Sequence, residues 1–376
     1  MLLSESRVAR GVCPAARNVC VPPVVSRATR RRLAPVRATA SPSPQVAPDT
    51  ENNIPWHQLK LKHVLASEQF TKESLNIIFD EAMKMEKIRP GMPEARMLEG
   101  YIMSTLFYEP STRTRLSFES AMTRLGGTVI STESAGEYSS AAKGETLEDT
   151  IRTVEGYADV IVLRHFQEGS ARRAASVASI PILNAGDGPG QHPSQALLDV
   201  YTIKREVGRL DNIKIGMVGD LMNGRTVRSL CKVMSLFPGL KVYFVAPSVV
   251  RMKDDIKEYL TQRGVQWSEV DDLASVAADV DVLYQTRIQK ERFTDLQEYA
   301  KARGKYIIDE SIMRALRKDA VVLHPLPRVD EITVDVDADP RAAYFRQARN
   351  GLYIRMALLK LAILGLNGGG ANNGQK

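Results

Sequence analysis

Five consecutive residues, Ser111-Thr112-Arg113-Thr114-Arg115, place three hydroxyl groups and two guanidinium groups side by side. They follow a predicted strand, Tyr101 to Tyr108, and they open a segment whose apolar residues recur at helical spacing. Unpaired N–H groups at a helix start, the helix dipole and a neighbouring guanidinium together favour a phosphate dianion. The alternative is that Ser111 or Thr112 only caps the helix. Two arginines interleaved with three hydroxyls at this turn favour the phosphate site.

Two further polar residues stand at the start of another predicted helix, Gln191 to Glu206. His192 and Gln195 are three residues apart, so their side chains share one helix face and can reach the same ligand. The alternative is that each is a structural residue of an α/β protein.

Arg225 follows a predicted strand, Ile213 to Val218, through a glycine-containing turn. Open α/β sheets bind ligands at the carboxyl ends of their strands, which makes this turn a candidate binding position. The glycines at 216, 219 and 224 lack the G-x-G-x-x-G spacing of a dinucleotide site, so a nicotinamide enzyme is disfavoured. The alternative is that Arg225 is an ordinary surface arginine.

The positive charge of the chain lies almost entirely in its first 50 residues. The whole chain carries +7, whereas residues 1–50, with eight arginines, no lysine and only Glu5 and Asp49, carry +6. The remainder is near neutral, which disfavours a nucleic-acid-binding protein. A leader rich in Arg, Ser, Ala and Pro is typical of an organelle transit peptide, and we expect residues 1–50 to be removed on import. The alternative is a basic tail that stays attached and binds an anionic partner.

The cysteine and histidine content limits the chemistry of the chain. Cys13 and Cys20 lie in the leader, so Cys231 is the one cysteine of the remaining chain and no intramolecular disulfide can form there. The five histidines are scattered without metal-ligand spacing, and we expect neither a metal nor a cofactor. No run of about 20 apolar residues is present, and no membrane span is predicted.

After the leader, short β-branched runs alternate with helical stretches. Strands separated by helices form parallel sheets, so we predict an α/β fold of two domains, each a parallel sheet flanked by helices, joined by interdomain helices. The predicted domains are residues 51–193 plus 345–368, and residues 194–344, followed by a flexible tail, 369–376. The strands are predicted at Tyr101–Tyr108, Gly127–Ser131, Val160–Leu163, Ile180–Leu183, Ile213–Val218, Lys241–Val245, Val280–Tyr284 and Ala320–Leu323. The main helices are predicted at Thr71–Lys87, Gln191–Glu206 and Tyr344–Leu366.

Seven motifs occur in the order of one known family. After Ser111–Arg115 they are Lys143-Gly144-Glu145-Thr146, Leu163-Arg164-His165, His192-Pro193-Ser194-Gln195, Gly224-Arg225-Thr226-Val227, Thr286-Arg287-Ile288-Gln289-Lys290-Glu291-Arg292 and His324-Pro325-Leu326-Pro327. The chain therefore resembles the aspartate/ornithine carbamoyltransferases from about Trp56 to Leu366. The resemblance implies that the first predicted domain binds carbamoyl phosphate and that the second binds an amino-acid substrate.

For carbamoyl phosphate, the resemblance implies donors for both the phosphate and the carbonyl oxygen. Arg164 and His192 would reach the carbonyl oxygen with Thr114, where negative charge grows as an amine adds. Gln195 would accept a hydrogen bond from the carbamoyl nitrogen. The implied binding residues are Ser111, Thr112, Arg113, Thr114, Arg164, His192, Gln195, Ser139 and Lys143, of which Arg113, Thr114, Arg164, His192 and Lys143 are implied to be catalytic.

For the second substrate, the resemblance implies two arginines that bind two carboxylates. Arg225 would bind the α-carboxylate, and Arg287 with Gln289 the β-carboxylate, since guanidinium groups pair bidentately with carboxylates. Backbone carbonyls of Leu326 and Pro327 would orient the neutral amine, and Lys143 would reach this substrate as well.

The segment Thr132 to Gly144 is small and polar and is interpreted as a mobile loop. In the family this loop crosses into a neighbouring subunit, which implies a homotrimer with shared sites. Ser139 and Lys143 would then serve the adjacent site, with Ser140 as the rival of Ser139.

The stretch His324-Pro325-Leu326-Pro327 separates two candidate substrates. Ornithine enzymes typically read His-Cys-Leu-Pro, so the resemblance implies L-aspartate, the product N-carbamoyl-L-aspartate and a role in pyrimidine synthesis. Ornithine transfer is the alternative. Resemblance to the plant enzymes further implies location in the chloroplast stroma and feedback inhibition by a uridine nucleotide such as UMP at the active site.

Overall fold

Two parallel β-sheets form the centre of the computed structural model of this chain, which describes residues 60–133 and 144–368. All of these residues fall within one compact unit. The predicted transit peptide, the predicted tail 369–376, and Ser139, Ser140 and Lys143 lie outside the described residues.

The first sheet contains Ile102–Phe107 (β1), Thr128–Glu133 (β2), Val160–His165 (β3) and Ile182–Asp187 (β4). The strands are parallel and lie in the order β2-β1-β3-β4. The helices of this half are Lys72–Lys87 (α1), Thr112–Arg124 (α2), Leu147–Val154 (α3) and Ser170–Val177 (α4). Strands β3 and β4 are buried along their whole length, as expected for parallel strands that helices cover.

Helix α5, Pro193–Val207, leads from the first sheet to the second. Pro193 suits the first turn because its missing N–H would have no partner there. Gly208 ends the helix with a φ of 81°, a left-handed conformation that glycine adopts without a steric penalty. The predicted interdomain helix is therefore present.

The second sheet contains Lys214–Val218 (β5), Lys241–Val245 (β6), Gln266–Glu269 (β7), Val282–Gln285 (β8) and Val321–Leu323 (β9). These strands are also parallel and lie in the order β7-β6-β5-β8-β9. The helices here are Arg225–Met234 (α6), Asp254–Gln262 (α7), Leu273–Asp279 (α8), Leu296–Ala302 (α9) and Glu310–Ala315 (α10). The last helix, Tyr344–Ile363 (α11), returns to pack against α1, α2 and α5.

The predicted α/β fold with two parallel sheets is confirmed. Each predicted strand overlaps an observed strand, and β7 is the strand that the sequence analysis missed. The domain boundaries at 193 and 345 stay predictions.

Cys231 lies fully buried on α6 within the hydrophobic core. Burial raises the pKa of its thiol to about 12, so it stays protonated and takes no part in nucleophilic chemistry.

Among the helices of residues 60–133 and 144–368, none combines the length and the apolar character that a membrane span requires.

Candidate active site

A cavity of about 820 Å³ opens at the carboxyl ends of both sheets. Its walls come from the segments after β1, β4, β5, β8 and β9, together with one face of α11. The predicted site residues that line it are Ser111, Thr112, Arg113, Thr114, Arg164, His192, Gln195, Arg225, Arg287, Gln289, Leu326 and Pro327. These are all of the predicted site residues that fall within the described part of the chain, since Ser139 and Lys143 lie outside it.

Three helices, α2, α5 and α6, begin at this cavity. Their N-cap residues are Ser111, His192 and Gly224, and none of the three makes a side-chain capping hydrogen bond. Free N–H groups and the positive ends of three helix dipoles therefore meet at one space, which favours an anion. The interpretation of Ser111 as a simple helix cap has no support, because its side chain accepts nothing from α2.

The two arginines of the Ser111–Arg115 motif have different environments. Arg113 lines the cavity and has no carboxylate partner among residues 60–133 and 144–368. Arg115 instead pairs with Glu119 at 3.2 Å and with Glu133 at 2.8 Å, and it does not line the cavity. Arg113 is therefore the guanidinium that α2 offers to a ligand.

Glu109 lies between two cavity arginines that come from different halves of the fold. Its Oε2 is 2.9 Å from Nη2 of Arg164 on β3 and 3.5 Å from Nη2 of Arg225 on α6. Arg164 also donates to the carbonyl oxygen of Ala185, and Arg225 to that of Gly188, at 3.2 and 2.6 Å. Burial, followed by repulsion from Arg225, lowers the pKa of Arg164 to about 10, so Arg164 remains charged at neutral pH.

His192 is buried beside these cations. Burial, then the charges of Arg225 and Arg164, hold the pKa of its imidazole well below the usual value, so the ring is neutral. Gln195, one helical turn later, donates from Nε2 to Oδ1 of Asp199 at 2.8 Å. Because the amide nitrogen of Gln195 is engaged by Asp199, the amide oxygen is the atom that can accept a hydrogen bond from a ligand in the cavity.

Arg287 reaches the cavity from the second sheet and is paired with Glu291. The two side chains contact through two N···O pairs, at 3.1 and 2.5 Å. This hydrogen bonding to Glu291 raises the pKa of Arg287. A ligand carboxylate at this position would replace Glu291 or share the guanidinium with it. The backbone N–H of Gln289 donates to Oδ2 of Asp220 at 3.3 Å, and Gln289 lines the cavity.

The turn after β9 carries Leu326 and Pro327. The backbone N–H of Leu326 donates to Nδ1 of His324 at 2.7 Å, and Nε2 of His324 contacts Oε1 of Glu331 at 2.7 Å. Leu326 has a φ of 55°, an uncommon conformation for a branched residue, which these contacts hold in place.

The charged or polar residues that line the cavity and that the sequence analysis did not assign include Glu109, Arg292, Gln347 and Arg355. Glu109 had a detectable signal, because it directly follows a strand and precedes the phosphate motif. Gln347 and Arg355 lie on α11, far along the chain, where no local pattern indicates a ligand.

Family models match both halves of the chain. Residues 62–205 match the carbamoyl-P binding domain of aspartate/ornithine carbamoyltransferase, and residues 211–362 match its Asp/Orn binding domain. The chain belongs to the aspartate/ornithine carbamoyltransferase family.

Among individual members of the aspartate/ornithine carbamoyltransferase family, aspartate carbamoyltransferases are similar over most of the chain. Aspartate carbamoyltransferase 2, chloroplastic, of Pisum sativum is 67% identical over 309 residues, 82% of this chain and 80% of that protein. Two crystal structures of Trypanosoma cruzi aspartate transcarbamoylase each have a TM-score of 0.76 and cover 81% of this chain. The first, with carbamoyl phosphate and aspartate, is 44% identical over 98% of its own chain. The second, with N-(phosphonacetyl)-L-aspartic acid, is 45% identical over 97% of its chain.

Proposed function

We infer that this chain transfers the carbamoyl group of carbamoyl phosphate to the amino group of L-aspartate, giving N-carbamoyl-L-aspartate and phosphate. The observation that carries the inference is one cavity that joins uncapped helix starts to arginines from the second sheet. The relative solved with carbamoyl phosphate and aspartate supports it. The reaction supplies de novo pyrimidine synthesis.

The phosphate is proposed to bind at the start of α2. Residues 111–114 offer hydroxyls and first-turn N–H groups there, and Arg113 offers a guanidinium that pairs with no carboxylate in the described part of the chain. These donors stabilise the negative charge of the phosphate group in the bound substrate and of the phosphate that leaves.

The carbonyl group is proposed to lie against Arg164, His192 and Thr114. A neutral His192 donates one hydrogen bond to the oxygen and does not protonate it, which suits a low imidazole pKa. The amide oxygen of Gln195 accepts from the carbamoyl nitrogen.

Aspartate is proposed to bind from the second sheet. Arg225 holds the α-carboxylate, and Arg287 with Gln289 holds the β-carboxylate. Carbonyl groups of Leu326 and Pro327 accept from the neutral amine and direct its lone pair towards the carbonyl carbon.

The chemistry needs no covalent intermediate, since carbamoyl phosphate is an activated acyl donor. The amine nitrogen forms a bond to the carbonyl carbon, and the carbon–oxygen bond to phosphate breaks with its electron pair. The departing phosphate takes up the amine proton. Rate enhancement comes from holding both anions in one cleft and from hydrogen bonds to the growing oxyanion.

L-Aspartate, and not ornithine, is the amino-acid substrate. Arg287 and Gln289 suit a second carboxylate, whereas the side chain of ornithine ends in a cation. The test is an assay of the purified chain with carbamoyl phosphate and either amino acid. We expect carbamoyl aspartate to accumulate when aspartate is supplied and no citrulline to form when ornithine is supplied. The reverse result would overturn the proposal.

Ser139 and Lys143, with Ser140 as the rival of Ser139, are proposed to act in the site of a neighbouring subunit of a homotrimer. The support is the resemblance of the segment from Thr132 to Gly144, which carries Lys143, to the loop that crosses between subunits in the family. A site shared in this way would supply Lys143 to both the phosphate and the aspartate.

The chain is proposed to act in the chloroplast stroma after its leader is removed. The support is the +6 charge of residues 1–50 and the chloroplastic plant relatives. N-terminal sequencing of the protein from purified plastids should find a start between Arg37 and Thr50. Recovery of the intact Met1 terminus inside the organelle would contradict this.

A further inference from the structure

Asp199 is a fully buried carboxylate on α5, one helical turn after Gln195. Three side chains donate hydrogen bonds to it. Gln195 and Gln347 donate from Nε2 to its Oδ1 at 2.8 and 2.6 Å, and the hydroxyl of Tyr284 donates to its Oδ2 at 2.8 Å. The donors come from α5, α11 and β8, so one carboxylate joins both halves of the fold.

Gln195 is the first connection between Asp199 and the cavity. The side chain of Gln195 lines the cavity, whereas Asp199 itself does not. Because the amide nitrogen of Gln195 is held by Asp199, the amide oxygen is the atom presented to a ligand.

Gln347 provides the second connection. Its Oε1 accepts from the backbone N–H of His324 at 2.9 Å, and Nδ1 of His324 accepts from the N–H of Leu326 at 2.7 Å. Asp199 therefore fixes which end of the Gln347 amide meets the turn after β9. That turn carries the carbonyl groups proposed to orient the amine.

Donation from all three partners suits an ionised acceptor, because hydrogen bonds to a carboxylate are stronger than those to a neutral oxygen. The charged or titratable groups that face Asp199 are Arg355 on α11 and Tyr284 on β8. Arg355 is also buried, and its guanidinium lies over the ring of Phe118 at 5.1 Å. No ion pair of Arg355 is found among residues 60–133 and 144–368, so it supplies longer-range charge to Asp199.

Burial raises the pKa of Asp199 to about 7, although its three donors and Arg355 lower it. An ionised Asp199 therefore lowers the stability of the folded protein. A carboxylate in this position is poorly explained by stability alone, since a neutral residue would not carry that cost.

We propose that Asp199 is a positioning residue that orients Gln195 towards the carbamoyl group and, through Gln347 and His324, holds the Leu326–Pro327 turn towards the amine. The proposal rests on the proposed function. Asp199 acts in its ionised form, and protonation weakens the hold on both groups.

The test compares Asp199→Asn with the wild type across pH, using the full chain. The asparagine variant keeps the shape and one oxygen but loses the charge, and we expect its kcat/KM for carbamoyl phosphate to fall about tenfold at pH 8.5. As the pH drops to 6, protonation of the wild-type Asp199 should bring the two rates together. A residue with a merely structural role would give a ratio independent of pH.

The matched control is Thr202→Val, one turn further along α5. Asn350 of α11 donates to Thr202 at 3.0 Å, so this variant also breaks a buried α5–α11 hydrogen bond, but neither residue lines the cavity. Its kcat/KM should stay within about threefold of the wild type at every pH, as expected for a change remote from the chemistry. A loss at Thr202 equal to that at Asp199 would overturn the proposal.

Tyr284→Phe provides a second variant that removes a donor without removing the carboxylate. Loss of that donor raises the pKa of Asp199. The kcat/KM of the Tyr284→Phe variant should therefore begin to fall at a higher pH, on acidification, than the kcat/KM of the wild type. A fall at the same pH in both proteins would contradict the proposal. A wild-type protein that forms no carbamoyl aspartate at any pH would instead refute the proposed function, so the two failures are distinguishable.

Discussion

Glu109 places a carboxylate oxygen 2.9 Å from the guanidinium of Arg164. The same oxygen is 3.5 Å from Arg225, which belongs to the other half of the fold. One negative charge therefore stands between two positive groups that are both proposed to bind substrate. Removal of the Glu109 charge would leave Arg164 and Arg225 to repel each other and would free their guanidinium groups to reorient.

We expect Glu109→Gln to lower kcat/KM about tenfold, because a neutral amide orients two guanidinium groups less strongly than a carboxylate does. Glu206→Gln is the matched control, since Glu206 pairs with Arg346 through two contacts on the surface, away from the cavity. Steady-state kinetics measure both variants. An equal loss of kcat/KM in the two variants would show that Glu109 has no special role.

Arg113→Ala should lose about 3 kcal/mol of transition-state stabilisation, roughly a hundredfold or more in kcat, the scale of one lost oxyanion donor. Arg124→Ala, at the far exposed end of α2, is the control and should leave kcat unchanged. Circular dichroism checks that both variants fold. A loss below about tenfold at saturating substrates would mean that Arg113 is not the phosphate anchor.

A shared site makes a prediction about mixtures of two inactive proteins. Lys143→Ala and His192→Ala chains, dissociated and reassembled together, should regain activity, because some sites then take an intact loop from one chain and an intact His192 from the next. The activity of hybrids confirmed by native mass spectrometry is the measurement. Hybrids no more active than their parents would exclude sharing.

A uridine nucleotide that inhibits at the active site must compete with carbamoyl phosphate, since both would place a phosphate at the start of α2. We expect UMP to protect the enzyme against thermal unfolding and carbamoyl phosphate to displace it. Isothermal titration in the presence of saturating carbamoyl phosphate provides the measurement. Full binding of both ligands together would refute a common site.

Asp199 makes a separate prediction for stability. Its pKa in the folded protein is raised from 3.8 to about 7, so its contribution to stability is full below pH 3.8 and is lost as the pH rises to about 7. The melting temperature of the wild type, relative to Asp199→Asn, should therefore fall between pH 5 and pH 8. Calorimetry of both proteins measures the difference, and a constant gap would show that Asp199 does not titrate in this range.

The sheets and the phosphate motif were predictable because their signals are local. A run such as Val160 to Leu163 is apolar and β-branched, and Ser111–Arg115 is a short polar run directly between a strand and a helix. Strand β7 gave no such signal, since Gln266, Ser268 and Glu269 are polar and the strand lies at an edge, where no apolar run is needed. Local pattern therefore finds a strand that contains an apolar, β-branched run and misses a strand without one.

The relationships between distant residues could not be predicted in the same way. Asp199 and Gln347 are 148 residues apart, and nothing in either neighbourhood indicates the hydrogen bond between them. The pairing of Arg287 with Glu291 is different, because a spacing of four residues allows contact across one turn. The position of the Arg287–Glu291 pair beside the cavity, however, is visible only in the folded structure.

The three uncapped helix starts around the cavity also affect how the purified protein behaves. Without a bound anion, the free N–H groups of three helix starts border the same space as Arg164 and Arg225, whose charges are offset by the single carboxylate of Glu109. A dianion that binds in that space to the folded chain alone would stabilise the folded state, and the stabilisation would grow with the logarithm of its concentration above the dissociation constant. We therefore expect protein kept in millimolar phosphate to melt at a higher temperature than the same protein after dialysis into a phosphate-free buffer.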